Sequence, residues 1–515
     1  MLRFIIAAVF LLTIFPCQSK ERSNVLFISV DDWNDWVGAN GGNQAKTPNL
    51  DKLIARGVTF RNAHASAVYC APSRTSLMTG LNPTSTGCYH DQPHFAPGND
   101  PELKDLAWWF RDNGYHTAGG GKLYHHMPGF IDMRAWSEFF HWSEHGKKKG
   151  WHLDSWGEGA PLPAELPSSG IAKFLLAQEK KRSPDKTPKK LNSHMEWAVL
   201  PDKDEPKMAD TICTEWAADF LKTYDGEKPF FLGFGLYAPH KPNFVPQKYF
   251  KMNPLAGIAQ PKMHPGDLDD LPPALRKKML SRKNRIDSPL RKLKEGKKAV
   301  RGYLAALSYA DAMVGRVLDA LAESPYAENT VIVLWSDNGY HLGEKGCWAK
   351  HTLWERTSNV PFIWAGKGIA KGKVVDTTVS LLDTYPTLLE LCGLPKNSGN
   401  EGHSLAGILA DPSSAKDRTV LQVDGPEQFA LINQEWRYVR TTGGEEQLYH
   451  VKSDPEEHTN LAEKAEHREG IVAFAKQLPK SPHAAGPRPP QLNLRIKGDE
   501  FEWLPGPRRK GKGKK

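Results

Sequence analysis

The sequence predicts an α/β protein with a central, mostly parallel sheet and a smaller C-terminal α+β unit built on an antiparallel sheet. Three observations carry this. Strand-like apolar runs alternate with helix-patterned segments through most of the chain, the rhythm of successive βα units. Three of those runs end in polar residues: Asn24–Val30 in Asp31-Asp32, Phe230–Tyr237 in Pro239-His240, and Thr330–Trp335 in Ser336-Asp337-Asn338-Gly339. Ligands of open α/β sheets bind beyond such strand ends. After about Asp411 the pattern changes to short strands separated by turn residues, which suits antiparallel pairing.

In chain order, residues 1–19 read as a secretory signal, with Arg3 before the mostly apolar Phe4–Phe15 and the small residues Cys17 and Ser19 at −3 and −1 of a cleavage site. A lipid anchor at Cys17 is the competing use. The apolar run is shorter than the roughly twenty residues that span a bilayer. The expectation is an exported protein, periplasmic or secreted, with no stable membrane insertion. The main domain is expected over 20–412, a C-terminal subdomain over 413–480 and an irregular, basic, Pro-rich tail over 481–515.

Asn24–Val30 is mostly apolar without polar alternation, as a strand buried on both faces should be. Leu50–Arg56 has helical spacing and stops at Gly57. The run Ser73–Thr79 follows Pro72 and stops at Gly80, with Pro near the start and Gly past the end of a short helix. Leu103–Asn113 is a helix closed by Gly114, Tyr303–Leu321 is a long amphipathic helix, and Val379–Cys392 is a helix bounded by Gly393 and Pro395. Strands are predicted at Thr419–Val423, Phe429–Ile432, Trp436–Thr441 and Gln447–His450, with a closing helix over Ile471–Leu478. Lys180–Lys190 and Pro254–Lys298 read as insertions.

At 515 residues with 39% hydrophobic and 25% charged residues, the chain is not wholly disordered, collagenous or a coiled coil. The net charge of +9 is local: six cations crowd Arg508–Lys515, and Arg276–Arg301 holds twelve cations against two acids. No zinc-finger spacing or aromatic RNA-binding motif accompanies them, so nucleic acid is not an expected partner. Signal cleavage would leave Cys70, Cys88, Cys213, Cys347 and Cys392, an odd set whose wide spacing matches no zinc pattern.

The most informative stretch is Cys70-Ala71-Pro72-Ser73-Arg74. A residue at a helix start meets the positive end of the helix dipole and its free N–H groups, and Arg74 adds a permanent forked cation. Such a place suits sulfate or phosphate. Asp31, Asp32, Asp337 and Asn338 offer three carboxylates and an amide oxygen, a hard-oxygen set suited to Ca²⁺ or Mg²⁺ rather than zinc.

Cys70–Arg74 resembles the C-x-P-S-R motif of the formylglycine-dependent sulfatases. The segments Asn24–Asp32, Thr47–Asp51, Gly57–Phe60, Gly121–His125, Ser336–Gly339, Leu342–Glu344 and Leu448–Leu461 carry the resemblance along the chain. It implies an alkaline-phosphatase-like main domain and a sulfuric ester hydrolase acting on a sulfated sugar of glycosaminoglycan or polysaccharide type. Cys70 would be oxidised to formylglycine by a formylglycine-generating enzyme, and the hydrated aldehyde would be the nucleophile. Asp31, Asp32, Asp337, Asn338 and the modified Cys70 would hold the metal, although family analogues often carry His where Asn338 stands. Lys122, His125, His240 and Lys350 would surround the sulfate, with His240 or His125 the proton donor, and Arg74 would help the metal hold the hydrated formylglycine. His341, Lys345 and His351 are weaker candidates for substrate contact. Trp108, Trp109, Trp136, Trp142, Trp151 and Trp156 offer faces for sugar stacking or, equally, core. Two rivals remain: a phosphonate or phosphate ester hydrolase on the same fold, and a non-catalytic glycan-binding protein with an unmodified Cys70.

Overall fold

The structure is a computed structural model that describes residues 22–38, 44–95, 100, 102–125, 130–140, 197–486, 492–497 and 500–505. The signal segment, the Lys180–Lys190 insertion, Trp142, Trp151, Trp156, His126 and the final basic residues lie outside the described residues.

The main sheet is built from β1 (Asn24–Asp31), β2 (Gly57–Phe60), β3 (His116–Gly121), β4 (Glu138–Phe140), β5 (Phe230–Pro239), β6 (Thr330–Ser336), β7 (Phe362–Gly366) and β8 (Lys373–Val375). Its order is β8-β2-β7-β6-β1-β5-β3-β4. Every pairing is parallel except the two made by β7, so β7 alone runs against the rest. β1 lies between β6 and β5 and is buried along its whole length. Leu26, Ile28 and Val30 join one core and Val25 and Phe27 the other. The apolar run has no polar alternation because the sheet is covered on both faces.

The helices that matter here are α1 (Pro48–Ala55), α2 (Cys70–Thr79), α3 (Leu106–Asp112), α4 (Ala209–Thr223), α5 (Pro273–Arg282), α6 (Gly296–Ala322), α7 (Thr384–Leu391) and α8 (Arg468–Ala475). α6 covers the Ile28 face through Leu304, Leu307, Val314 and Val317. α2, α3 and α7 cover the Phe27 face through Leu77, Phe110 and Leu388. Among the described residues no helix is long and apolar enough to cross a membrane.

Several predicted boundaries move. The helix expected over Val379–Cys392 begins only at Thr384, because Val379-Ser380 pair with Ala63-His64 and Ser380 and Asp383 form a reciprocal cap. Asp105 accepts from the Trp108 N–H at 2.9 Å and starts α3 three residues later than predicted. The second half of the Pro254–Lys298 insertion is largely helical, and its end is the first turn of α6. Gly119-Gly120-Gly121 is buried strand, where glycine is needed for space: a Cβ at Gly119 would sit 2.6 Å from the Trp136 ring. The tail expected to be irregular contains an antiparallel pair, Leu492–Lys497 with Glu500–Pro505, whose alternation of Leu492, Leu494 and Ile496 with polar residues is a strand signal.

The small sheet has four antiparallel strands in chain order, β9 (Val420–Val423), β10 (Phe429–Ile432), β11 (Arg437–Arg440) and β12 (Glu446–Tyr449), with α8 packed on one face. Arg437, fully buried, reaches across to the Leu353 carbonyl at 3.0 Å and to Ser358 Oγ at 2.9 Å, and pairs with Glu355 and Glu457.

Candidate active site

Four neighbouring parallel strands deliver the site. β1 ends at Asp31, followed by Asp32, and β6 is followed by Asp337 and Asn338. β5 is followed by His240, and β3 by Lys122. Along a strand, consecutive side chains alternate between faces. Asp32 escapes this with a left-handed φ of 60°, a conformation Asp tolerates better than most residues. Both carboxylates can therefore face Cys70, whose Sγ lies 3.4 Å from Asp31 Oδ1 and 4.0 Å from Asp32 Oδ1.

Cys70 is the first residue of α2, and no side chain caps that helix start. It is 2% exposed. Lys350 Nζ stands 2.7 Å from its sulfur and Lys122 Nζ 4.0 Å. Lys350 also pairs with Asp32, and Lys122 with Asp31. Burial, then the charges of Asp31 and Asp337, push the Cys70 thiol well above its usual range, and the two lysines only partly oppose this. Burial also acts on Asp31, but Lys122, Lys350 and Arg74 outweigh it and hold the carboxyl below its ordinary value.

Asp31, Asp32, Asp337 and Cys70 each present one ligand atom, all within 4.8 Å of one another. Asp32 Oδ2 and Asn338 Oδ1 are buried oxygens that accept no hydrogen bond among the described residues. A buried acceptor left unmade costs about 1–3 kcal/mol, and a hard divalent cation would satisfy both. The donor chemistry and these two oxygens fit a small oxygen-liking metal ion.

Arg74 is enclosed by protein acceptors. Its Nε donates to Asp337 at 2.8 Å, Nη1 to Ser29 Oγ at 2.7 Å and to the Lys122 and Leu123 carbonyls, and Nη2 to the Val30 carbonyl at 3.3 Å. Through these bonds Arg74 sets the ends of β1, β3 and β6.

The two histidines separate. His240 Nδ1 donates to the Lys241 carbonyl at 2.7 Å, which leaves Nε2 as the exchanging nitrogen, 3.7 Å from Asp32 Oδ2. His240, Asp31 and Cys70 also form a cluster within 4.8 Å. His125 lies against Phe130, with Nε2 3.9 Å from Asp91, and is not in that cluster. His341 is buried and bonded to Thr352, and Lys345 is buried in an ion pair with Asp267, so both are structural. Trp136 is core, and Trp108 and Trp109 pack against it.

Sequence reasoning missed the supports. Ser29 donates to the Lys122 carbonyl at 3.1 Å while accepting from Arg74. Ser336 accepts from the Trp33 N–H at 2.9 Å, and the Tyr303 hydroxyl donates to the Asp32 carbonyl at 2.8 Å. Asp210, at the start of α4, accepts from the N–H groups of Tyr237 and Ala238 at 2.9 and 2.8 Å, just before His240. Ser29 and Ser336 are hydroxyls inside apolar strands, a signal that was there to be read; Tyr303 and Asp210 gave none.

Comparison with known proteins agrees with this geometry. The sequence model of the Sulfatase family matches residues 23–394. A sulfatase of Formosa agariphila is 38% identical over 90% of this chain and 88% of its own length. Iduronate 2-sulfatase of Mus musculus is 29% identical over 73% of this chain and 70% of its own. In fold, the chain is similar to the phosphonate monoester hydrolase of Agrobacterium radiobacter, with a TM-score of 0.69 at 20% identity, covering 88% of this chain and 94% of that one. With the alkaline-phosphatase-like fold and a family match over most of its length, the chain belongs to the sulfatase family of sulfuric ester hydrolases.

Proposed function

We propose that this protein is an exported hydrolase that removes sulfate from a sulfated sugar, in the manner of iduronate 2-sulfatase, with the nucleophile supplied by position 70. The observation that carries this is the convergence of Cys70 Sγ, three carboxylates and two lysines at one buried strand edge. A thiol held protonated by burial is a poor nucleophile, which supports conversion of Cys70 to formylglycine by a formylglycine-generating enzyme. In its hydrated form that group supplies the attacking hydroxyl.

Asp31, Asp32, Asp337 and Asn338 would hold Ca²⁺, with Mg²⁺ the alternative. The bound cation supplies positive charge to the sulfuryl oxygens. The chain's own residues do the rest. Lys122 and Lys350 flank position 70 and oppose the charge that builds on the transferring group. His240, oriented through Nδ1 by the Lys241 carbonyl, carries the proton for the leaving sugar oxygen on Nε2, 3.7 Å from Asp32 Oδ2. Arg74 holds Asp337 and the Lys122 backbone in register. His125, set against Asp91 and Phe130, supports the Lys122 turn or contacts the sulfate directly.

The test has two parts. Intact mass across Cys70 should reveal an aldehyde about 18 mass units below the thiol. The converted protein should release sulfate from defined sulfated mono- and disaccharides faster than phosphate from the matching phosphate esters. An unmodified cysteine in a fully active protein, or faster phosphate release, would refute the proposal. Cys70→Ser in a host that oxidises only cysteine should abolish multiple turnover.

A further inference from the structure

The proposed role of His240 needs its ring held still, because a proton donor must stay within hydrogen-bond reach of the oxygen it serves. The end of β5 is a weak support for it. The last residue of β5 to face β3 is Gly235, and the register against β1 slips at the same point: Ser29 faces Gly235, yet Asp31 faces Pro239. Leu236, Tyr237 and Ala238 thus stand against Val30 alone, and a bulge of this kind strips backbone N–H groups of their ladder partners. Beside it lies a cavity of about 20 Å³, with Asp210, Tyr237, His240 and Asn243 among its lining residues. Close packing therefore does not by itself fix the chain that leads to His240.

Asp210 takes up those N–H groups. It stands in the first turn of α4 and is 7% exposed. One carboxylate oxygen accepts from the Tyr237 N–H at 2.9 Å and the other from the Ala238 N–H at 2.8 Å. Burial pushes the Asp210 carboxyl up to about 6 and its two N–H bonds pull against that, so at neutral pH both oxygens are acceptors. The hold passes to His240 within one turn of chain. The His240 N–H donates to the Tyr237 carbonyl at 2.9 Å, and Asn243 Nδ2 donates to the Pro239 carbonyl at 2.8 Å. The Tyr237 and His240 rings meet edge to face, with centroids 6.5 Å apart. Lys122 depends on Asp210 less. Its ammonium lies 4.6 Å from the Tyr237 ring centroid, but its ion pair with Asp31 and an N–H bond to the Gly235 carbonyl at 3.1 Å, ahead of the bulge, hold it separately.

We infer that Asp210 is a positioning residue for His240: it pins the bulge of β5 so that Nε2 keeps its place beside Asp32 and Cys70. The inference rests on the proposed reading of His240 as the proton donor. Asp210 touches no reacting atom, and its effect is confined to the step in which the leaving oxygen takes its proton. Misplacing a reacting group by about 1 Å can cost about 10²-fold in rate. An activated aryl sulfate, which leaves with little need of that proton, is then nearly indifferent to Asp210.

The experiment compares the converted wild-type protein with Asp210→Asn, His240→Ala and the double variant, each at neutral pH on one sugar sulfate that the wild type hydrolyses and one aryl sulfate. Asparagine keeps the shape and the place at the helix start, but its Nδ2 cannot accept, so one of the two N–H bonds is lost. Asp210→Asn should cut kcat about tenfold or more on the sugar sulfate and less than about threefold on the aryl sulfate, with KM little changed. Both rates are read on one sample, so a smaller folded fraction does not move their ratio. In the His240→Ala background the same substitution should cost less than about twofold on the sugar sulfate, because the residue it acts through is gone. Equal losses on both substrates in Asp210→Asn, an unchanged sugar-sulfate rate, or the full loss repeated in the double variant would overturn the inference. Failure of the proton-donor reading shows elsewhere: His240→Ala alone would slow both substrates equally, and the positioning role would fall with it.

Discussion

Lys350 Nζ lies 2.7 Å from Cys70 Sγ across 280 positions of sequence. The same ammonium pairs with Asp32, and these anionic neighbours raise its pKa well above the usual lysine range although burial works against it. Lys350 is therefore a fixed positive charge at the reacting atom. Lys350→Ala should lower kcat about 10²- to 10³-fold, the scale for removing one donor from a developing oxyanion, and also lower the melting temperature, because it leaves the buried Asp32 carboxylate without this partner. Steady-state kinetics on an aryl sulfate and a sugar sulfate check this, and an unchanged kcat would remove Lys350 from the chemistry.

The ligand set predicts two distinguishable phenotypes. Asn338→Ala removes an oxygen that accepts no hydrogen bond among the described residues, together with the Nδ2 that donates to Asp32 at 2.8 Å and to the Gly339 carbonyl at 2.9 Å, so it should weaken Ca²⁺ binding about tenfold and cost only about 1–3 kcal/mol of stability. Asp337→Ala should abolish binding and also cost about 3–5 kcal/mol of stability, because it leaves the buried Arg74 cation without its 2.8 Å partner. Calorimetric titration with Ca²⁺ and urea unfolding measure the two effects separately. Full activity of chelator-treated, metal-free protein would contradict the metal site.

His240→Ala should slow sugar sulfates about 10²-fold or more and an activated aryl sulfate much less, since an aryl leaving group needs little protonation. His125→Ala should reduce both rates evenly. Equal losses on both substrates in His240→Ala would make it a binding residue, and the reverse pattern would move the proton donor to His125.

Asp105 predicts a pH dependence away from the chemistry. Its carboxyl is fully buried, accepts from the Trp108 N–H and the Tyr124 hydroxyl, and has its pKa raised from 3.8 to about 7, chiefly by burial. The folded state thus holds this proton more tightly than the unfolded state. The resulting stability is complete below the unfolded pKa and is lost as pH rises toward about 7. Asp105→Asn keeps a capping side chain without the charge, so it should flatten the stability profile between about pH 4 and pH 7 and be the more stable form at pH 8 by a few kcal/mol. Urea unfolding of both proteins across that range decides it; parallel profiles would show that Asp105 does not titrate there.

The sequence by itself determined the class of fold and most of the chemistry. Continuous apolar runs such as Asn24–Val30 can only be strands covered on both faces, and the Cys70–Arg74 motif with the Asp-Asp and Asp-Asn strand ends identified the family and the metal-ligand candidates. These features were legible because they depend on residues close together in the chain. Tertiary structure decided what depends on distance and burial. Parallel pairing around β1 brings Lys122 and His240 to the edge where Asp337 and Lys350 stand, and without the family resemblance no local pattern ranks these two lysines and this histidine above the others. Packing gave Arg74 its acceptors on three strand ends, which its place in the motif did not reveal. It also separated His240 from His125, both of which the sequence offered as proton donors. The glycine run before Lys122 looked loose in sequence, and the rings of Trp136 and Trp216 that need its missing side chains make it rigid. α5 and the small sheet, far apart in the chain, meet at His351–Trp354, and long-range packing of that kind leaves no local signature for a sequence to display.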